Sequence, residues 1–190
     1  MTVRKLCLLI PSLQAGGMER VMSELAWHFS LKHDIELHLV LYGITREVFY
    51  PVPVELNIHK PTFKFSNRFR ALFTIRTILY LRKTVKKVNP VSILSFGEYW
   101  NSFVLITLLG LNYPIFVSDR CQPDKSLGKL HDWLRKILYP KAEGIIVQTQ
   151  MAGNIFRRRI NNRNIIVIGN PIKEMKLKED IERENIVLMV

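Results

Sequence analysis

Between Glu55 and Glu98 the sequence contains no acidic residue, while nine lysines and arginines fall there, from Lys60 to Lys87. Over the whole chain 28 Lys and Arg face 16 Asp and Glu, a formal net charge of +12. An excess of that size points to phosphates: nucleic acid, an anionic membrane or a phosphorylated ligand. Cysteine is scarce too. Cys7 and Cys121 stand far apart, which argues against a disulfide framework and fits a reducing cytoplasm. No apolar run reaches the ~18 residues of a membrane span. The opening MTVRKLCLLIPS has a short apolar part and no small-residue cleavage site, so it reads as a buried strand. No His/Asp/Glu cluster has metal-ligand spacing, so no metal is expected. G-x-G-x-x-G is absent and no acid closes the second strand, so a nicotinamide cofactor is not expected.

What is present is an alternation. Val3 to Ile10, Ile35 to Leu41, Val91 to Phe96, Pro114 to Ser118, Gly144 to Gln148 and Ile165 to Ile168 read as short apolar strands, with Val52 to Ile58 a weaker one. Between them Gly16 to Leu31, Asn67 to Val88, Tyr99 to Leu109, Leu127 to Tyr139 and Gln150 to Arg159 read as helices. Short apolar strands alternating with helices predict an α/β fold: a Rossmann-like, doubly wound parallel sheet covered on both faces. Asn170-Pro171 ends the last strand, and a charged, linker-like stretch follows over 173–184. Asn185 to Val190 then begins a new apolar strand. The expectation is a first domain over 1–172, a linker over 173–184 and the start of a second domain over 185–190.

Gly16 and Gly17 sit where the first strand hands over to the first helix. Glycine weakens both elements, so something must offset the loss. In open α/β sheets ligands bind beyond the carboxyl ends of the strands. The unpaired N–H groups and positive dipole end of a helix suit a phosphate there. The glycines would let a diphosphate approach the backbone. The alternative is a tight turn with close helix–strand packing.

GGMER (Gly16 to Arg20) resembles the GG-x-E-R stretch of family 4 glycosyltransferases. VSDRCQP (Val117 to Pro123), YPKAEGIIVQT (Tyr139 to Thr149) and VIGNPI (Val167 to Ile172) resemble three further stretches of that family, in the same order. The resemblance implies one half of a GT-B architecture, two Rossmann-like domains facing across a cleft. It implies an acceptor-side domain of a retaining, metal-independent transferase with a nucleotide-sugar as donor substrate and no cofactor. Gly16 and Gly17 would face the donor diphosphate. Arg120 and Asp119, at a strand's carboxyl end, are candidates for the acceptor, and Glu98 could touch an acceptor hydroxyl. Glu98 and Asp119 are the weak catalytic candidates. The family's donor-binding Arg and Lys and its E-x7-E acids would lie beyond Val190, so residues 1–190 alone are expected to be inactive.

On a helical wheel of Asn67 to Val88, Arg68, Arg76, Arg82, Lys83, Lys86 and Lys87 share one broad face with Leu72, Ile75 and Leu79. Arg70 lies opposite. Bases interleaved with apolar residues suit an interfacial membrane helix, each base contributing on the order of 1 kcal/mol near an anionic leaflet. The expected partners are therefore an anionic membrane surface and a lipid-linked saccharide acceptor, at the cytoplasmic face of the cell membrane. The competing reading is a basic α/β module for nucleic acid or anionic lipid without catalysis. No helix-turn-helix, RRM or zinc signature supports nucleic acid. His28, His33, His38, His59 and His131 show no shared pattern and are expected at packing or surface positions.

Overall fold

A computed structural model describes residues 3–43, 47–63, 65 and 67–171. Ile172, the expected linker over 173–184 and the expected strand over 185–190 lie outside the described residues.

Seven parallel strands form one sheet: β1 (Arg4–Ile10), β2 (Ile35–Leu41), β3 (Asn57–His59), β4 (Ser92–Phe96), β5 (Ile115–Ser118), β6 (Gly144–Val147) and β7 (Ile165–Val167). Their spatial order is β3-β2-β1-β4-β5-β6-β7. The order reverses between β1 and β4, which registers Leu8 against Leu94. Such a switch point opens a crevice at the strands' carboxyl ends. The expected Rossmann-like parallel sheet is therefore present.

Among the described residues five helices cover it: α1 (Gly17–Ser30), α2 (Arg70–Val88), α3 (Glu98–Leu108), α4 (Lys129–Leu138) and α5 (Gln150–Arg159). Side chains alternate across a strand, and β1 divides accordingly. Leu8 and Ile10 pack with Val21, Met22 and Ala26 of α1. Cys7 and Leu9 face the opposite layer, where Leu81 and Val85 of α2, Val104 and Leu108 of α3, Leu138 of α4 and Phe156 of α5 pack.

Two expectations need correction. The third strand is Asn57–His59, not Val52 to Ile58. Pro51 and Pro53 have no N–H to give a ladder, and Val54 projects into solvent. The second helix opens with a 3-10 turn, Asn67–Phe69, before α2 proper. Ile35–Leu41 and Gln150–Arg159 fall where expected, and the remaining ends shift by at most two residues. α4, for instance, starts after Gly128, whose φ is 97°.

Candidate active site

The crevice at the switch point holds a cavity of about 510 Å³. Gly17, Met18 and Arg20 of α1 line one side, and Gly97, Glu98, Tyr99 and Trp100 of the β4–α3 turn line another. Arg120, Gln148 and Asn170 complete it from the ends of β5, β6 and β7.

Two helices begin at this cavity without a side-chain cap. The N-cap of α1 is Gly16 and that of α3 is Gly97, and neither can accept from the first-turn N–H groups. In α5, by contrast, Thr149 Oγ1 accepts from Ala152 N at 3.1 Å. The first turns of α1 and α3 thus keep donors for something else.

The glycines differ in what demands them. Gly97 has φ 105°, a region where a side chain is strained, and an added Cβ would press on Met18 and Trp100. Gly16 is extended, and a Cβ there would collide with the Glu19 carboxylate, the end of a flexible side chain. A Cβ on Gly17 would meet nothing within 4 Å. Helix–strand packing therefore does not call for glycine at 17.

Arg120 is half-buried. Its guanidinium carbon lies 5.0 Å from the centroid of the Phe96 ring. Its Nη2 donates to Asn170 Oδ1. With the Gln148 amide oxygen turned inward, Gln148 accepts from Nη2 and Nε at 3.1 Å. Burial lowers the guanidinium's pKa, yet arginine stays charged at any working pH.

Asp119 takes a different path. It is 3% exposed and turns beneath the cavity. Tyr139 Oη donates to its Oδ2 at 3.1 Å, and Arg135 Nη1 approaches that oxygen to 3.8 Å. Burial pushes its carboxyl pKa up, opposed by Arg135 and the Tyr139 hydrogen bond. Asn101 Nδ2 donates to Tyr139 Oη at 3.2 Å and to Ser118 O at 2.9 Å, and Ser95 Oγ donates to Asn101 Oδ1 at 2.8 Å. This buried network ties β4, β5, α3 and the end of α4 together under the loop that carries Arg120. Such networks rigidify what they support. The two acceptor candidates adjacent in sequence are therefore separated: Arg120 lines the cavity and Asp119 does not. Among the described residues no three His, Cys, Asp or Glu side chains converge as a metal group.

The model of Glycosyltransferase Family 4 matches residues 15–174. This chain belongs to glycosyltransferase family 4. It is 30% identical over 173 residues, 87% of its length, to an amylovoran biosynthesis glycosyltransferase of Erwinia amylovora, covering 45% of that protein. It is 22% identical over 191 residues, 98% of its length, to an alpha-1,4-N-acetyl-D-galactosaminyltransferase of Campylobacter jejuni, covering 52% of it; that relative is named for a saccharide on PP-undecaprenol. The chain thus spans about half the length of the curated relatives it matches. Among solved structures, sucrose-phosphate synthase from Thermosynechococcus elongatus aligns with a TM-score of 0.66 at 11% identity, over 87% of this chain and 48% of the other. UDP-GlcNAc 2-epimerase from Neisseria meningitidis aligns with a TM-score of 0.61 at 12% identity, over 88% and 46%. At such identities the likeness shows the fold.

In this family 4 chain a second cavity, about 530 Å³, adjoins the first and shares Met18 and Trp100 with it. Tyr42, Phe65 and Phe103 give it aromatic walls, and Arg70 stands at the start of α2. Sequence reasoning passed over Arg20, Gly97, Trp100 and Asn170 as site residues. Asn170 had a signal in the Asn-Pro motif, and Gly97 in its place after a strand.

The basic face of α2 is real but smaller than the wheel suggested. Arg68, Arg76, Lys83, Lys86 and Lys87 are exposed. Arg82 is not free: its Nη1 donates to Thr107 O at 2.7 Å and Leu109 O at 3.0 Å, holding the end of α3 against α2. Phe69, Leu72, Ile75 and Leu79 are all exposed along the same helix.

Proposed function

We propose that this chain is the acceptor-side domain of a retaining, metal-independent glycosyltransferase. It would move a hexosyl or N-acetylhexosaminyl group from a nucleotide-sugar to a lipid-linked saccharide. The observation that carries the reading is Gly17. It stands at an uncapped helix start, borders a cavity flanked by Arg20 and Arg120, and has open space where a side chain would be. That is the surface a diphosphate needs. In the reaction the bond between the sugar's anomeric carbon and the donor diphosphate breaks, and one to an acceptor oxygen forms. The acceptor hydroxyl's proton passes to the departing diphosphate, which balances the step. Backbone N–H groups and arginine suit the charge that develops on the departing diphosphate. The adjoining aromatic cavity suits the acceptor's sugar, and Glu98 lies at the first cavity's rim.

The reaction belongs, in this reading, at the cytoplasmic face of the membrane. Exposed Phe69, Leu72, Ile75 and Leu79 beside Arg68, Arg76 and Lys83 support that placement. Attachment in this reading is peripheral, through that exposed face of α2; no described helix is long and apolar enough to cross a membrane. The test is transfer from a panel of nucleotide-sugars to a polyprenyl-diphosphate saccharide by the full-length protein, with the product's anomeric configuration read by NMR. Retained configuration supports the proposal, and residues 1–190 alone should turn nothing over. Salt-dependent binding to duplex or single-stranded nucleic acid, with no transfer and no vesicle binding, would overturn it.

A further inference from the structure

The apolar residues of α4 form one broad face, an arc of about 140°, and the core covers only one edge of it. Leu138 is buried and Leu134 half-buried, both packed with the core. Leu130, Trp133 and Ile137 are 65%, 57% and 42% exposed. At about 100° per residue these three fall within an arc of about 60°. An apolar face wider than the core covers leaves a stripe suited to a partner surface.

The charges say what kind of cover. Lys129 and Lys136 are exposed and both lie along one edge of the stripe. The one acid on α4, Asp132, is already engaged: Ser126 Oγ donates to it, Leu127 N donates at 3.1 Å and Arg135 Nη2 at 3.4 Å. An apolar strip with lysines along one edge and a tryptophan next to them fits the headgroup region of an anionic leaflet. Placement agrees. α2, α3 and α4 all pack on one face of the sheet. α3 exposes Ile106 and Leu109 on its own outer side, and its Tyr99 meets His131 of α4 edge-on at 5.3 Å.

We propose that α4 is a second membrane contact, in which Leu130, Trp133 and Ile137 enter the interface of an anionic bilayer and Lys129 and Lys136 meet its phosphates. This rests on the membrane reading of α2 and adds to it an orientation, with the layer of α2, α3 and α4 lying against the bilayer.

The experiment uses the full-length protein with Trp133 as its sole tryptophan, through Trp27→Phe, Trp100→Phe and the same change at any tryptophan outside residues 1–190. Vesicles of mixed phosphatidylglycerol and phosphatidylcholine are added. Trp133 emission should shift to the blue and be quenched by brominated acyl chains. Leu130→Ser with Ile137→Ser should weaken vesicle partitioning at least about tenfold while circular dichroism stays unchanged. If vesicle binding is lost on reversing Arg76, Lys83 and Lys87 to Glu but Trp133 emission never moves, α4 is no contact and the α2 reading stands alone. If the unmodified protein binds no vesicles, both fall. A blue shift that needs no lipid and grows with protein concentration assigns the stripe to another protein surface and overturns the proposal.

Discussion

The guanidinium of Arg120 lies over the ring of Phe96, itself 2% exposed, while one Nη holds Asn170. A strand end, a buried aromatic and the Asn-Pro turn thus fix one cation at the cavity wall. Lysine cannot reproduce a planar stack with a forked donor. Arg120→Lys should lower kcat/KM for transfer roughly tenfold or more, and Arg120→Ala roughly 10- to 100-fold, the range of a charge-assisted hydrogen bond. Steady-state assays with the donor varied would show it, and wild-type rates in Arg120→Ala would remove the residue from the site.

Gly17→Val separates ligand approach from packing. A side chain there has room within the protein and fills space on the cavity side. The variant should melt like wild type and lose transfer by about 100-fold, comparable to losing one preorganised donor. Gly144→Ala is the contrast. Its Cβ would lie 2.7 Å from Asn164 Nδ2 and 2.9 Å from the Phe116 ring, so thermal stability should fall instead.

Asp119→Ala should unfold more easily, by about 1–3 kcal/mol, because it leaves the buried Tyr139 hydroxyl without the carboxylate it donates to. The denaturant midpoint measures this. If stability is untouched and only transfer falls, the carboxylate acts on substrate.

Acid should weaken the far edge of the sheet. His38 Nδ1 and His59 Nε2 lie 3.0 Å apart, with Glu36 Oε1 3.0 Å from the other His38 nitrogen. Burial lowers the pKa of both rings, with Lys87 and His38 adding to it at His59 and Glu36 opposing it at His38. Below about 6.5 the unfolded imidazoles bind protons that the folded pair resists. The unfolded state then binds more protons, so stability is full above that pH and declines as pH falls through it. Denaturant midpoints at pH 7.5 and about 5.5 should differ, and His59→Asn should shrink the difference. A pH-independent midpoint in the wild type would refute this.

The sheet was readable because its strands are short, apolar and β-branched, and the helices between them break at Gly, Asn or Pro. β3 was misread because hydropathy does not register the missing N–H of Pro51 and Pro53. Arg120 was readable from its place after a strand. Its separation from Asp119 was not: successive residues of extended chain point to opposite sides, and Asp119 turns inward to Tyr139. Ser118, two residues back, is the neighbour that Arg120 Nη1 reaches, at 3.4 Å. Its other partners come from β4 and from Asn170, fifty positions away, and only folding brings those together. Arg82 looked like one more surface base because a wheel cannot show the two carbonyls that occupy it.

The buried carboxylate of Asp119 also acts on its other neighbour. Cys121 donates to Asp119 Oδ1 at 3.5 Å, and burial, Asp119 and Glu98 push the thiol up to about 12. Cys7, deep in β1, is pushed up to about 12 by burial alone. Thiolates do the alkylating chemistry, so maleimide at neutral pH should leave both untouched, as intact mass would show. Residues 1–190 are then already a silent background for spectroscopy: a cysteine placed at position 72 or 130 would carry the only spin label among them and report its depth against a bilayer.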